Sequence, residues 1–179
     1  MTMFDSVVKE VLTWQRPRLF RREYDLRVKE QQVAVLRQTG FFNGRAEIYE
    51  GLDGRTPVLE LGRSGMFRQK LHVKVLDYRF PHITKPAPLN LRGETWLALE
   101  NGRNYHFQPT NFWQTRWTLT DDQGQEYLAL QRNNWGFGGT ITIAESDLSQ
   151  DELLFLIYVA WYITILKMED QSAAAAAAS

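Results

Sequence analysis

Leu153–Leu166 reads LLFLIYVAWYITIL, apolar around its whole circumference apart from Thr164. A helix with no polar face has to be enclosed on every side. The run falls well short of the ~20 residues that cross a bilayer, so a protein interior is the better enclosure, and the rest of the chain must wrap it. Ser149-Gln150-Asp151-Glu152 has the form of a capping box, with Ser149 as N-cap and Glu152 returning a bond to the cap amide. Leu148 and Leu153 occupy the positions of a hydrophobic staple. Glu145, Asp147, Asp151 and Glu152 put negative charge at the positive end of the helix dipole, and Lys167 lies near the other end. Past Asp170 the chain reads QSAAAAAAS, which either prolongs the helix or forms a low-complexity tail. The chain is therefore read as one domain over 1–170 with an Ala-rich tail at 171–179, and the tail is left out of functional reasoning.

Upstream, the hydrophobic period is two. Tyr24, Leu26 and Val28 alternate with Asp25, Arg27 and Lys29, and Leu71, Val73 and Val75 alternate with Lys70, His72 and Lys74. Trp113, Thr115, Trp117 and Leu119 alternate with Gln114, Arg116 and Thr118 in the same way. Phe42-Asn43-Gly44, Asp53-Gly54, Asn101-Gly102 and Asp121-Asp122-Gln123-Gly124 supply hairpin turns between such runs. Strands are predicted near 24–29, 32–39, 45–50, 57–62, 66–78, 95–100, 103–108, 112–120, 125–132 and 138–145, roughly ten to twelve antiparallel strands if the longest is divided. The Pro-rich stretch 80–88, FPHITKPAP, reads as a loop, and Phe4, Val7, Val8, Val11 and Leu12 predict a short amphipathic N-terminal helix over 3–14.

A sheet of that size closes or folds into layers, and closure removes its edges. Roughly eight strands already fill a barrel with their own side chains, so a dozen leave a wider lumen. A helix about 10 Å thick fills it. The expected fold is mainly β, a closed antiparallel barrel of about 12 strands around a central hydrophobic C-terminal helix.

Composition narrows the function classes. With 44% hydrophobic and 13% aromatic residues, the chain can bury a sizeable core. The absence of cysteine excludes disulfides, zinc-thiolate sites and thiol nucleophiles, and agrees with a reducing compartment. MTMFDSVVKE is charged early and lacks the apolar core of a signal peptide, so a cytoplasmic protein is expected, with a peripheral membrane association open to it. The formal net charge of +0 conceals an excess of Lys and Arg before residue 93 and of Asp and Glu after it.

From Tyr24 to Lys167 the chain resembles the Tubby C-terminal-like superfamily, which includes Tubby domains, phospholipid scramblases and LURP-one-related proteins. The resemblance rests on Gly136-Phe137-Gly138-Gly139-Thr140-Ile141-Thr142-Ile143, followed by a short acidic connector and the apolar helix. It rests also on the Gly44–Leu61 hairpin, GRAEIYEGLDGRTPVLEL. It implies a twelve-stranded barrel around a hydrophobic C-terminal helix. Tubby domains bind phosphoinositide headgroups through basic side chains, and scramblases are linked to phospholipids and calcium. The Pro-rich N-terminal segment and cysteine cluster of scramblases are missing here, so their lipid-transport role does not transfer.

The candidate ligand site is Arg68, Lys70, His72 and Lys74, which project from one face of a predicted strand and repel one another unless an anion or acidic neighbours compensate them. Two readings stay open: a site for a phosphate-bearing partner such as an anionic phospholipid headgroup or membrane surface, or a solvated outer wall paired with acidic neighbours. Arg16, Arg18, Arg21 and Arg22 form a second basic cluster beside the amphipathic N-terminal segment. Nucleic acid is disfavoured by the neutral charge and the lack of a recognisable module, although Tyr78, Arg79 and Phe80 have the right types for stacking. Glu145, Asp147, Ser149 and Asp151 alternate like calcium ligands but lack the glycine and the full spacing, and helix capping already explains them.

Catalytic motifs fail individually. Gly62-Arg63-Ser64-Gly65-Met66 starts like a nucleophile elbow but ends in Met. His72, His82 and His106 have no metal-ligand spacing. No catalytic residue, cofactor or metal is expected, and no transmembrane span. The chain reads as a non-catalytic binding module for an anionic phosphate-bearing ligand, or alternatively as a protein-interaction or structural module with no small-molecule ligand.

Overall fold

Twelve antiparallel strands pair in chain order and the last returns to the first, closing a barrel without a free edge. The computed structural model describes residues 11–17, 21–40, 44–51, 54–66, 68–134 and 137–178. The strands are β1 (Val11–Gln15), β2 (Glu23–Val28), β3 (Gln31–Gln38), β4 (Ala46–Glu50), β5 (Pro57–Ser64) and β6 (Gln69–Val75). They continue as β7 (Ala87–Leu89), β8 (Thr95–Ala98), β9 (Asn104–Pro109), β10 (Arg116–Asp121), β11 (Glu126–Arg132) and β12 (Gly139–Ile143). The helix α1 (Gln150–Ala177) follows and is buried from Glu152 to Met168. Leu26, Leu36, Ile48, Leu71, Phe107 and Leu130 are among the fully covered wall side chains that share the core with Phe155, Ile157 and Trp161. No helix among the described residues is long and apolar enough to cross a membrane.

The N-terminal segment departs from the reading of 3–14 as a helix. Val11–Gln15 is a strand with Leu12 and Trp14 buried between exposed neighbours, and residues 3–10 lie outside the described residues. The physical reason is pairing: β1 joins β12 through Leu12↔Ile141 and β2 through Leu12↔Val28, so its ladder bonds close the barrel. Helical spacing across 4–12 competed with period two across 11–15, and tertiary pairing favoured the latter. The Pro-rich loop likewise contains β7, with Ala87 and Leu89 inward and Pro88 outward opposite Lys70. Its ladder to β8 is the single pair Leu89↔Thr95, in keeping with the missing amide of proline. The long run 66–78 forms one strand, β6.

The helix start also differs in detail. Ser149 caps as expected, accepting from the Glu152 amide at 3.2 Å. The Glu152 carboxylate turns to the wall, where it accepts from Tyr105 Oη at 2.5 Å and Asn101 Nδ2 at 3.2 Å. Lys167 does not sit at the helix end, because α1 continues to Ala177 with no basic residue in its last turn. Lys167 is buried 3.4 Å from Asp170, its stem against Gly93, and burial holds its ammonium below the usual lysine range. Since strands alternate in direction, the connections after β1, β3, β5, β7, β9 and β11 surround the end where α1 leaves. The connections after the even-numbered strands surround the end where it enters.

Candidate functional site

The outer wall of β4, β5 and β6 carries the basic row read from sequence. On β6, Leu71 is buried while Lys70, His72 and Lys74 are exposed, so the pleat presents these three to solvent together. Arg68 is exposed in the turn before the strand and does not belong to the row. Across the ladder, Lys70 faces Ser64, His72 faces Gly62 and Lys74 faces Glu60. Gly62 puts no side chain between its neighbours, and the Arg45 stem lies where a Cβ there would make ordinary contact.

Glu60, Gly62, His72 and Lys74 floor an open cleft of about 710 Å³, walled on its far side by residues 83–86 of the β6–β7 connection. Arg45, His72, Lys74 and Lys85 line it with Glu47 and Glu60. Lys74 Nζ donates to both Glu60 oxygens, at 3.1 and 3.2 Å, and the Glu47 carboxylate accepts from Tyr49 Oη at 2.6 Å. Among the described residues, Arg45, Lys70 and Lys85 have no hydrogen-bond or ion-pair partner for their side chains. Arg45 and Lys85 therefore bring two unpaired cations to a cleft whose one carboxylate outside an ion pair, Glu47, is bonded to a neutral phenol. Neither was found from sequence, since Arg45 sits at a strand start and Lys85 in the Pro-rich stretch, and only barrel closure brings them together. Lys70 and Arg68 lie outside the cleft lining.

Ser64 Oγ and His72 Nε2 lie 2.6 Å apart on this same wall, the separation of a nucleophile and its base. Both residues are exposed, and among the described residues no carboxylate orients the imidazole from its other nitrogen. The other histidines are elsewhere: His106 lies 2.9 Å from Glu94 and stacks on Trp96 at 4.0 Å, and the His82 carbonyl accepts from the Glu100 amide.

The second basic cluster is drawn into the structure where α1 leaves. Arg16 donates through Nε to the Arg21 carbonyl at 2.9 Å and lies over the Phe137 and Tyr24 rings. Arg21 stands 3.8 Å from Glu23, Arg22 donates to the Gly40 carbonyl at 3.4 Å, and Arg18 lies outside the described residues. Arg16 and Arg22 border a second cavity of about 390 Å³ with Arg63, Glu169 and Asp170. Its anions are the helix's own: Arg63 grips Asp170 through two bonds of 2.7 and 2.8 Å, and Glu169 accepts from Tyr24 at 2.8 Å and Gln38 at 2.6 Å. This cluster fastens the helix. The acidic connector is absorbed similarly, with Asp147 3.6 Å from Arg103 and Asp151 3.6 Å from Arg79.

No family model matches the sequence, and no curated protein matches it. In structure the chain is similar to the X-ray structure of a protein from Arabidopsis thaliana, AT5G01750, with a TM-score of 0.50 and 10% sequence identity. The likeness covers 86% of this chain and 88% of that one. At this identity it is a likeness of fold alone, in keeping with the closed antiparallel barrel and C-terminal helix seen here.

Proposed function

We propose that the protein is a non-catalytic binding module of the Tubby C-terminal-like type, working in the cytoplasm, whose cleft over Gly62 holds an anionic, phosphate-bearing group such as a phospholipid headgroup. The observation that carries this reading is the unpartnered pair Arg45 and Lys85, held beside His72 and Lys74 where the glycine leaves room. Guanidinium and ammonium groups without protein partners are matched by phosphate oxygens, which accept several charge-assisted bonds at once. Glu60 offsets Lys74, which favours a ligand reaching past it to Arg45 and Lys85.

Calorimetry with a soluble inositol trisphosphate tests it. Replacing Arg45 and Lys85 together by Gln should weaken binding at least tenfold and flatten its salt dependence, because two of the screened contacts are gone. Lys70→Gln, outside the cleft, should change it far less. Exposed charges contribute little to stability, so the melting temperature should hold. Equal binding by the wild type and the double variant, or none by either at low salt, leaves the interaction-module alternative in front. Labelling of Ser64 by a fluorophosphonate would count against the non-catalytic part of the reading.

A further inference from the structure

We propose that the end of the barrel where α1 leaves is a membrane-docking rim, whose apolar turn tips enter the interface of an anionic bilayer. For the kind of partner this rests on the anionic-ligand reading; the contact itself uses a different surface. Met66, Leu91, Phe112 and Trp113 are 81%, 79%, 82% and 75% exposed. They sit in the connections after β5, β7 and β9, which all open at this end. The helix reaches the same place, since Gln171 donates to Gln114 Oε1 at 3.3 Å and accepts from Arg132 Nη1 at 2.7 Å.

The two tips that carry Leu91 and the Phe112–Trp113 pair are stiff and built alike. Asn90 Oδ1 accepts from the amides of Arg92 and Glu94, and Gly93 follows with positive φ. Asn111 Oδ1 accepts from the amides of Thr115 and Arg116, and Gln114 follows with positive φ. The apolar side chains stand at the apex of each turn, with Phe112 and Trp113 edge to face at 5.2 Å. The opposite end shows that such a turn does not require them. There Asp121 Oδ1 accepts from the amides of Gln123 and Gln125, and the apex residues Asp122 and Gln123 are polar. The turn chemistry is shared, and among the described residues four of the exposed apolar side chains stand at the end where α1 leaves, against Tyr78 at the apex of the Asp77 turn and its neighbour Leu76 at the other.

Charge runs the same way. Arg68, Arg92 and Arg116 stand close in sequence to Met66, Leu91 and Trp113, with Arg21 and Arg22 at the same end, and they outnumber the carboxylates of Glu23 and Glu94 there. Glu100, Asp121, Asp122, Glu145 and Asp147 gather at the other end and outnumber its cations Lys29, Arg55, Arg79 and Arg103, and there the exposed Leu76 and Tyr78 flank the carboxylate of Asp77. Aromatic and apolar tips among arginines fit the headgroup level of an anionic leaflet, and the carboxylates turn the far end away from it.

Co-sedimentation with vesicles of phosphatidylcholine alone, or mixed with phosphatidylserine, tests the rim in the full chain. Wild type should bind the anionic vesicles, and Phe112→Ser with Trp113→Ser should weaken that at least tenfold with an unchanged melting temperature. Lipids brominated along the acyl chain should quench the wild type, and Trp113→Phe should remove that quenching. Equal binding by the double variant, no binding by wild type, or quenching unaltered by Trp113→Phe would overturn the rim. So would a lipid-free dimer that the double variant dissociates, which would make a second copy the occupant. If Arg45→Gln with Lys85→Gln leaves vesicle binding intact while the tip variant loses it, the rim stands and the cleft reading falls. The converse result overturns the rim and leaves the cleft.

Discussion

Gly139 faces Trp14 across the β1–β12 seam, and a Cβ there would overlap both the indole and the carbonyl of Gln131. The second glycine of Gly138-Gly139, noticed in sequence only as part of a family-like run, is therefore the site on which a core tryptophan lies. Gly139→Ala should cost about 1–3 kcal/mol by overpacking. In a chain of this size that lowers the melting temperature by ~2–4 °C per kcal/mol, measurable by calorimetry. An unchanged melting point would mean that the seam shifts to make room. Asp170 is the corresponding polar fastening, shared between Arg63 and the buried Lys167. Its neighbours in space come from β5 and from α1 itself, so no local pattern announced the cluster.

At the scale of elements, α1 behaves as its all-round apolarity requires. Ile157 is fully buried with the wall around it, and a carboxylate placed there meets no cation. Ile157→Asp should remove several kcal/mol from a stability of ~5–15 kcal/mol, leaving a chain without a cooperative thermal transition. A mutant that melts like the wild type would contradict the enclosure. Strand 112–120 was read one turn too long. The alternation Trp113, Thr115, Trp117, Leu119 is genuine as a pattern, yet Trp113 is exposed and only Trp117 and Leu119 face the core. The Asn111 carboxamide closes a turn first, a competition between side-chain bonding and the ladder that periodicity alone does not resolve.

Over the whole molecule, four core-facing tyrosines hold their protons against alkali. Burial raises Tyr24, Tyr105, Tyr158 and Tyr162 above the ordinary 10.0, and the carboxylates of Glu169, Glu152 and Glu50 add to the shift for the first three. A folded value raised above the unfolded one stabilises fully below pH 10.0, and the contribution is lost as pH climbs from there through the folded value. Lys167 works the other way, its penalty fading as pH rises towards 10.5, but it is one group against four. The urea midpoint should therefore fall progressively as pH climbs above 10.0. A urea midpoint that does not move over that range would show those hydroxyls to be wet. Tyr24→Phe should flatten the slope.

The barrel, its filling and the helix cap are legible in the order of residues. Period-two alternation, turn residues and an apolar run are local properties, and one enclosed helix demands one closed wall. That order also placed Lys70, His72 and Lys74 on one face, since the pleat alone orients alternate residues. Long-range pairing alone makes Val11–Gln15 the closing strand and joins β7 to the wall at Pro88. It alone brought Arg45 and Lys85 beside His72, and gathered Met66, Leu91, Phe112 and Trp113 at one end. Those facts depend on which strands are neighbours and on which end each connection opens, quantities fixed by closure over the whole chain and absent from any window of it.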